Sequence, residues 1–493
     1  NNAIMSVVLQ PGDRVLSGGQ RATIRFIGAV SNTKGEWLGV EWDDSTRGKN
    51  DGSMEGVQYF SVRSSNGGSF LRQRKLDPTL TIEAAIQDRY DTKISTEEEK
   101  DVFVDANKQA IKVEFVGADK AHAEQSQLEN LFEVCIQGMA VASIGEPDKL
   151  NKLIPRALEL DLSNTLISNW DIVGGVASAL PSLACLRLCN NRLMPGQTDC
   201  APMPNIKQLY LNLTPTSPEQ VARFSDMFPC LTELHLGGLD LDSISLYSFP
   251  QSLEVLSLEE NIISSWEEVV PLGDLPRLTT LNLARNKISS ISPPSGSQFA
   301  QLQCLNIGRN AITNWESINN LLGFKSITEL MVQQNPFCEG EQKKLHVRQN
   351  IISRLPELKR LNKTDVVAQE RVIAERFYLA QNAAEFWGQK EGSETRQNKF
   401  ALEHPRFAKL VELHGEPDKP KAVFVAIKDG FVSLKAKTLD GTSEKTIQVP
   451  ATTKIAKLRQ VLKVNSSKSF LLTYTHFLNS LSVSLCLSLS LSV

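Results

Sequence analysis

The five residues from Gly48 to Gly52 have the chemistry of a carboxylate-binding loop. Both bounding glycines can adopt positive φ without a steric penalty, which lets a short loop turn its amides outward. Lys49 and Asn50 then offer a cation and amide donors side by side, and Asp51 can fix the turn through its side chain. This set of donors suits an acidic peptide, and a terminal carboxylate in particular.

Aromatic residues flank this loop on both sides and supply an apolar floor for a large side chain. Trp37 and Trp42 come before it, and Tyr59, Phe60 and Phe70 come after it. From about residue 6 to residue 76, the order and spacing of these residues resemble the CAP-Gly module. That family is a small β-barrel that binds acidic, aromatic C-termini such as that of α-tubulin, so the resemblance implies the same fold and ligand here.

The resemblance also implies a role for each matching residue. Lys49 and Asn50 are expected to meet the acidic tail and its carboxylate, while Trp42 and Tyr59 are expected in the core. Asn32 departs from the family pattern, because many members carry an aromatic residue there, and Lys75 stands where some have Gln. The full predicted peptide-binding set consists of the loop, the aromatic residues that border the groove and one basic residue aimed at the groove. In that order, its members are Gly48, Lys49, Asn50, Asp51, Gly52, Trp37, Phe60, Phe70 and Arg72.

A repeated pattern between residues 157 and 337 predicts the element that follows this module. The pattern consists of an apolar residue, two variable residues, Leu, one variable residue, Leu and often Asn. One copy is formed by Leu278, Leu281, Leu283 and Asn286. Copies start at 157, 183, 206, 231, 253, 278, 302 and 327, at intervals of 22 to 26 residues. That period is typical of leucine-rich repeats.

Each Leu-x-Leu is predicted to be a short strand with its leucines inward and the residue between them outward. The Asn is predicted to turn the chain and to satisfy backbone groups that the strand leaves open. One repeat cannot bury its leucines alone, so eight copies should stack into a curved solenoid. The predicted concave side chains form a mixed polar set that suits a protein partner: Asp161, Arg187, Tyr210, His235, Ser257, Asn282, Asn306 and Met331. Trp170, Trp266 and Trp315 recur at one repeat position, which favours convex-side packing over binding.

The segments around the repeats carry weaker signals. Leu128, Leu131, Phe132 and Cys135 recur at helical spacing and predict an amphipathic helix over residues 125–141, which would cover the start of the solenoid. A strand is expected at residues 113–116. The stretch from Asn335 to Arg371 resembles the C-terminal cap of many intracellular leucine-rich-repeat proteins, and residues 372–420 are expected to be helix followed by a polar linker.

The C-terminal residues predict a small sheet, with strands at 421–427, 431–438 and 444–449, followed by a helix from residue 452. The apolar spacing of that helix resembles the first helix of ubiquitin-like domains, but only the first half of such a domain is matched. After Lys463 the chain becomes an alternating Leu/Ser tail. It could be a membrane segment, an aggregation-prone edge strand, or an alternative or misread exon end, and we favour the last.

The fold class expected from these signals is multidomain. It comprises an SH3-like small β-barrel, a central α/β solenoid with a cap and a C-terminal partial ubiquitin-like α+β segment. The predicted bounds are 6–80 for the CAP-Gly domain, 81–155 for a linker and solenoid cover, 156–340 for the repeats, 341–383 for the cap, 384–420 for a linker, 421–464 for the ubiquitin-like part and 465–493 for the tail.

Composition excludes several classes of function. The chain has 493 residues and a net charge of −3, which argues against a nucleic-acid partner and against a polybasic membrane contact. Eight cysteines without a Cys-x-x-Cys motif predict reduced, mostly buried thiols and a cytosolic protein. The six histidines are dispersed, and Gly48-Lys49 lacks the rest of a phosphate-binding loop, so no metal, no cofactor and no enzyme activity are expected. The first residue is Asn1 and no signal sequence follows, so the start is expected to be incomplete.

The order of the three parts resembles the tubulin-folding cofactor E family over about residues 6–463. This resemblance implies a cytoplasmic, cytoskeleton-associated chaperone that binds α-tubulin and assembles or takes apart the α/β heterodimer. Its implied partners are cofactor D, which carries β-tubulin, together with cofactors B and C, and the ubiquitin-like segment adds the proteasome. The alternative is a microtubule-end adaptor, which usually adds coiled coils or basic Ser-rich flanks; the sequence has neither.

Overall fold

The structure is a computed structural model that divides into two units, residues 1–417 and 418–493. It describes residues 9–90, 127–194, 201–339, 346–390 and 393–419 in full. For six further strands it gives the bounds and the pairing. The strands predicted at 113–116 and 421–427 and the helix predicted from residue 452 lie outside the described residues.

An antiparallel sheet of four strands forms the N-terminal β domain. Its alternating apolar residues pack on one face, with Val15, Ile24, Leu38, Val40 and Trp42 at most 4% exposed. A register shift between Ile24 and Phe26 bends the second strand. The sheet strands are Arg14–Ser17, Gln20–Ala29, Glu36–Trp42 and Gly68–Leu71, and a small hairpin pairs Ser53–Met54 with Val57–Gln58.

The leucine-rich repeats share one sheet of eleven strands whose spatial order follows the chain. All neighbours are parallel except the last pair, and the first leucine of each predicted Leu-x-Leu is the central residue of its observed strand and is fully buried. The predicted strand positions are therefore confirmed. The strands are Glu133–Cys135, Glu159–Asp161, Cys185–Arg187, Gln208–Tyr210, Glu233–His235, Val255–Ser257, Thr280–Asn282, Cys304–Asn306, Glu329–Met331, Arg360–Leu361 and Thr364–Asp365.

Buried asparagines connect consecutive repeats. Asn286 donates to the carbonyls of Leu283 (3.1 Å) and Leu258 (2.9 Å) and accepts from the amide of Ile263 (3.0 Å). The same pattern recurs at Asn261, Asn310 and Asn335. The predicted role of the Asn is confirmed, and two of these three partners of Asn286, the Leu258 carbonyl and the Ile263 amide, belong to the preceding repeat.

Short helices and 3₁₀ turns connect the strands and enclose one continuous core. Trp170 and Trp266 are buried in it and Trp315 is half-buried, in agreement with a packing role. The helices of the repeats and their flanks are Ile82–Tyr90, Pro147–Leu153, Trp170–Ala179, Pro218–Ala222, Phe224–Met227, Glu316–Asn320, Val347–Arg354 and Ala368–Gln381. The 3₁₀ segments are Ser45–Arg47, Gln73–Lys75, Leu128–Asn130, Trp266–Glu268, Val270–Asp274, Leu321–Gly323 and Pro336–Cys338.

The helix predicted over residues 125–141 is wrong. Leu128–Asn130 is a single 3₁₀ turn, and Glu133–Cys135 is the first strand of the repeat sheet, paired with Glu159–Asp161. Val134 is 1% exposed beside Leu160, whereas Phe132 is 54% exposed. Pairing with the next strand buries Val134, and this gain depends on tertiary structure that helical spacing does not reveal. Further on, Val141–Ser143 pairs with Leu80–Thr81.

The polar linker predicted at residues 384–420 is also wrong. Its helices are Ala383–Lys390, Glu394–Glu403 and Phe407–His414. Phe386, Phe400 and Phe407 pack with Tyr378 and Leu410 into a second core. Arg354 joins this core to the repeats, because it donates to Asn319 (3.0 Å) and lies 4.7 Å from the rings of both Trp315 and Tyr378.

The C-terminal unit contains a four-stranded antiparallel sheet. The strands predicted at 431–438 and 444–449 are confirmed as a pair, Phe431–Thr438 with Glu444–Pro450. Phe470–Leu478 and the Leu/Ser-rich Leu481–Ser488 complete the sheet, with the latter at one edge, as the edge-strand interpretation predicts. The exon-end interpretation stays a prediction. A two-stranded ribbon, Phe103–Ala106 with Gln109–Lys112, belongs to the first unit.

Two further findings concern the described residues alone. None of the helices there has the length and apolar content needed to cross a bilayer. The six cysteines there are all free: Cys185 is buried, Cys230 is exposed and the others are half-buried, so the prediction of buried thiols holds only in part. Burial raises the pKa of the Cys185 thiol to about 12.

Candidate peptide-binding site

The backbone of the Gly48–Gly52 loop is tied to the neighbouring strand Gly68–Leu71. The amides of Lys49 and Asn50 donate to the Gly68 carbonyl at 2.7 and 3.1 Å, and the Gly68 amide donates to the Asn50 carbonyl at 2.8 Å. The Lys49 side chain is exposed and, within the described residues, makes no ion pair. The loop therefore holds its lysine in solvent on a fixed backbone.

The two glycines of this loop meet different constraints. Gly52 has φ +94°, and a Cβ there would lie 1.9 Å from the Phe60 carbonyl oxygen. Gly48 has φ −65°, so its predicted positive φ is wrong. It must be glycine because a Cβ would lie 1.7 Å from the Asn66 carbonyl oxygen.

The side chains of Asn50 and Asp51 stabilise the turn. Asn50 Oδ1 accepts from the amide of Gly52 (3.1 Å), and Asp51 Oδ1 accepts from the amide of Ser53 (2.9 Å) and from its hydroxyl. These hydrogen bonds to Ser53 lower the pKa of the Asp51 carboxyl below its usual value. The predicted turn-fixing role of Asp51 is confirmed. Among the described residues, no acceptor is bonded to the Nδ2 donors of Asn50.

A cluster of four aromatic rings lies against this loop. Phe26 and Tyr59 are 5.3 Å apart, Tyr59 and Phe70 are 5.7 Å apart, and Phe60 and Phe70 are 5.2 Å apart, all edge to face. Phe60 is only 6% exposed and packs under Gly39, where a Cβ would approach its ring to 2.4 Å. Phe60 is thus part of the floor and not a border, which corrects the prediction. Phe70 remains half-exposed.

Trp37 and Arg72 form a separate pair beside this cluster. The Arg72 guanidinium lies 3.8 Å from the Trp37 ring and donates to the carbonyls of Lys34 and Glu36. The Trp37 indole donates to the Thr33 hydroxyl at 2.7 Å. Arg72 therefore braces Trp37 and its loop, with one donor on each terminal nitrogen used by a backbone oxygen. Such a stacked guanidinium holds the ring in place.

Sequence reasoning missed two residues of the ring cluster, Phe26 and Tyr59, and placed Trp42, which lies outside the cluster, correctly. Trp42 is 4% exposed and donates to Ser69, so its core assignment is confirmed. Tyr59 was expected in the core, but it is half-exposed, and its hydroxyl bonds to Ser31. Phe26 was not singled out at all. The signal that could have found it is Gly28 together with Gly39, since a Cβ at Gly28 would meet the Phe26 ring and a Cβ at Gly39 would meet the Phe60 ring and the Phe26 Cβ.

The eight predicted concave residues occupy a single register row of the repeat sheet, from Asp161 to Met331. Within this row, the Arg187 guanidinium lies 4.2 Å from the Tyr210 ring, and Tyr210 stacks on His235 at 4.1 Å. Glu233 accepts from Tyr210 (2.9 Å) and pairs with His235 (2.7 Å). These bonds, led by that to His235, lower the pKa of the Glu233 carboxyl. The row therefore presents a preorganised aromatic and charged stack, here called the repeat stack (Arg187, Tyr210, His235, Glu233).

Comparisons with known proteins agree with both regions. A CAP-Gly domain model matches residues 11–76, and a leucine-rich repeat model matches residues 251–389. The chain is 33% identical to tubulin-specific chaperone E of Xenopus laevis over 91% of this chain and 88% of that protein. It is 32% identical to tubulin-specific chaperone E of Homo sapiens, over 92% and 89%. It is 30% identical to tubulin-folding cofactor E of Arabidopsis thaliana, over 89% and 85%.

Proposed function

Because the chain belongs to the family of tubulin-specific chaperone E, also named tubulin-folding cofactor E, we propose that it binds α-tubulin through both its acidic C-terminus and its body. In this role it assists assembly and disassembly of the α/β-tubulin heterodimer. The observation that carries the proposal is the similarity over about nine-tenths of the chain, which spans the N-terminal domain and the repeats together.

In the N-terminal domain, the acidic tail lies along the exposed Lys49 and the free donors of Asn50. The terminal carboxylate takes those donors, and the terminal ring packs on Phe70, Tyr59 and Trp37. The remaining residues of the predicted set act through these: Gly48, Asp51 and Gly52 shape the loop, Phe60 supports the ring cluster, and Arg72 braces Trp37.

Typical binding free energies explain why the N-terminal site alone would bind tubulin only weakly. An exposed ion pair contributes about 0–1 kcal/mol, and burial of one ring adds about 2–3 kcal/mol. A micromolar complex requires about 8 kcal/mol, and ordering a flexible tail costs part of the gain. A second surface on the same chain raises the affinity through effective concentration.

The repeat stack is the proposed second surface, on the concave face of a solenoid, and it holds the body of α-tubulin. Tyr210 is fixed between Arg187 and His235, so little side-chain entropy is lost when a partner covers it. Tyr and Arg side chains held in this way are typical of interface residues that dominate binding energy.

The remaining partners follow from the family. We include cofactors B, C and D as partners, with cofactor D carrying β-tubulin, and a role without catalysis in the cytoplasm and at the cytoskeleton. Residues 341–383 serve as the cap of the solenoid. The ubiquitin-like segment would add the proteasome. No nucleic-acid or membrane partner is part of the proposal.

Binding to intact and tail-clipped α/β-tubulin tests the proposal. The full chain should bind intact tubulin more tightly, and Lys49→Ala/Asn50→Ala should remove that difference while leaving binding to clipped tubulin unchanged. Lys325→Ala, an exposed lysine on the repeats, is the matched control. If removal of the tail does not change the affinity for tubulin, the N-terminal domain does not bind the tail. Cosedimentation with microtubules without loss of polymer would instead favour the microtubule-end adaptor.

A further inference from the structure

Arginine side chains meet where the N-terminal domain contacts the first repeats. A cleft of about 440 Å³ lies between the two, and its wall carries Arg21 and Arg63 from the N-terminal domain and Arg192 from the repeats. Arg21 crosses the junction and donates to the carbonyls of Gly138 (2.7 Å) and Asn164 (2.8 Å). The cleft is therefore a fixed feature of the domain junction.

Two carboxylates near this cleft, those of Glu41 and Asp43, each pair with two arginines. Glu41, which is 4% exposed, pairs with both Arg25 (2.6 Å) and Arg63 (3.1 Å). Asp43 likewise serves two guanidiniums, those of Arg14 and Arg192. Each carboxylate thus faces two positive charges, which leaves a local excess of positive charge.

Asp44 is the third carboxylate here and does not remove that excess. It is exposed, and its Oδ1 accepts from the amide and hydroxyl of Thr46. Within the described residues, the hydrogen bonds of the Arg21 guanidinium go to carbonyl oxygens. The three carboxylates therefore face five guanidinium groups, which leaves two positive charges around the cleft. These guanidinium groups belong to Arg14, Arg21, Arg25, Arg63 and Arg192. Coulomb attraction at a partly buried site is stronger than in bulk water, so this imbalance favours an anion.

Burial makes the imbalance more costly. The buried Nε atoms of Arg14 and Arg21 lack a hydrogen-bond acceptor within the described residues. Desolvation lowers the pKa of Arg21, and the charge of Arg14 lowers it further; desolvation also lowers the pKa of Arg192. An anionic group in the cleft would offset both effects.

The cleft lies close to the Lys49 loop along the chain. Asp44 in the cleft wall and Lys49 are five residues apart, and five residues span at most about 18 Å. A peptide whose last residue lies at Lys49 and Asn50 covers the same span with about five or six extended residues. The two places are thus within reach of one short acidic segment.

We propose that this cleft binds glutamate or aspartate side chains that lie upstream of the terminal residue in the same acidic tail. The inference rests on the proposed function, since it takes the terminal residue to be held by Lys49 and Asn50. Single carboxylates fit better than a phosphate dianion, because Asp43 and Asp44 also line the wall and would repel a double charge. The N-terminal domain and the first repeats would then form one composite site that reads several acidic residues.

Three synthetic peptides with the same Glu-Glu-Tyr end test the inference with the full-length chain. One has three residues, one has twelve with glutamates upstream, and one has twelve with glutamines upstream. The long acidic peptide should bind more tightly than either of the others. Arg63→Gln/Arg192→Gln should weaken the long acidic peptide about three- to tenfold and leave the other two unchanged.

Controls separate the possible failures. Arg277→Gln removes an arginine that pairs with Glu254 on an exposed part of the repeats and should change nothing. Arg63→Gln alone, at a side chain that is 58% exposed, covers the case in which the double variant fails to fold. If the short peptide binds but the long acidic peptide gains nothing, or keeps its gain in the variants, the cleft inference is wrong. If no peptide binds the wild-type chain, the proposed function fails and the inference fails with it.

Discussion

At the scale of single residues, the candidate site depends on glycines that are required for separate reasons. Gly48 needs space for a neighbouring carbonyl, Gly39 needs space for the Phe60 ring, and Gly52 needs both space and a positive φ. Gly56 also has a positive φ, of +80°, but nothing lies within 4 Å of a Cβ placed there. Steric and conformational costs can therefore be measured separately in one loop and its neighbouring hairpin.

Gly52→Ala should open the loop, whereas Gly56→Ala should not. The added methyl group at Gly52 collides with the Phe60 carbonyl, so we expect a cost of about 1–3 kcal/mol beyond backbone strain. Gly56→Ala should cost only about 1 kcal/mol, from the left-handed backbone alone. Hydrogen exchange of the Lys49, Asn50 and Gly68 amides measures the opening of the loop. We expect these amides to lose protection in Gly52→Ala only. Equal effects in both variants would show that the close contact at Gly52 does not matter.

The residue types of the loop were predictable from sequence, but the layout of the rings was not. Asp51 and Trp42 have the predicted roles because each depends on local chemistry or on strand alternation. Phe26 and Tyr59 join the cluster through ring contacts between separate segments of the chain, since Tyr59 packs on both Phe26 and Phe70. These contacts join residues far apart in sequence, and no local pattern records them.

At the scale of elements, repetition made the sheet predictable. Each Leu-x-Leu repeats the same local choice, so the pattern predicted both the row of buried leucines and the polar row from Asp161 to Met331, in which all residues but the buried Ser257 are half-buried. The strand Glu133–Cys135 has Val134 and the following Ile136 in place of the two leucines and was missed, since only pairing with its neighbour makes it a strand. The helices from residue 383 to residue 414 were missed because their aromatic core forms between elements and not within one.

A buried histidine gives these helices a predictable pH dependence. His404 is 8% exposed, accepts or shares a hydrogen bond with Tyr378, and lies 3.6 Å from Glu385. Burial lowers its pKa to about 4; Arg354 adds to the shift and Glu403 opposes it. Between the unfolded pKa of about 6.5 and the folded pKa, only the unfolded chain binds the proton. Stability should therefore fall as the pH drops through this window, by at most about 3 kcal/mol.

Unfolding by urea at pH 7 and at pH 4.5 measures this effect. His404→Gln should lose stability at pH 7 but show a smaller drop on acidification than the wild type does. His346→Gln, which removes an imidazole that packs against Phe377, controls for loss of a ring and should keep the wild-type drop. An unchanged drop in His404→Gln would assign the acid sensitivity to other groups.

At the scale of the whole molecule, the proposed mechanism requires two surfaces on one chain. The N-terminal domain offers a cation, amide donors and rings, and the repeats offer a preorganised stack whose polar groups are already paired. Neither surface alone is expected to bind tightly. Hydrogen bonds between Arg21 and the repeats hold the N-terminal domain against them, which raises the effective concentration of one surface for a partner bound at the other.

Competition with a free tail peptide separates the two surfaces. A saturating Glu-Glu-Tyr peptide should occupy the N-terminal site and weaken binding of intact tubulin by about a hundredfold, without abolishing it. In Tyr210→Ala, the same peptide should abolish binding, because the repeat stack has lost its central ring. Tyr247→Ala, another half-buried tyrosine of the repeats that stacks on Phe249 instead, should behave like the wild type. If the peptide abolishes binding to the wild-type chain, the repeats contribute no hold of their own. If it changes nothing, tubulin is held by the repeats alone.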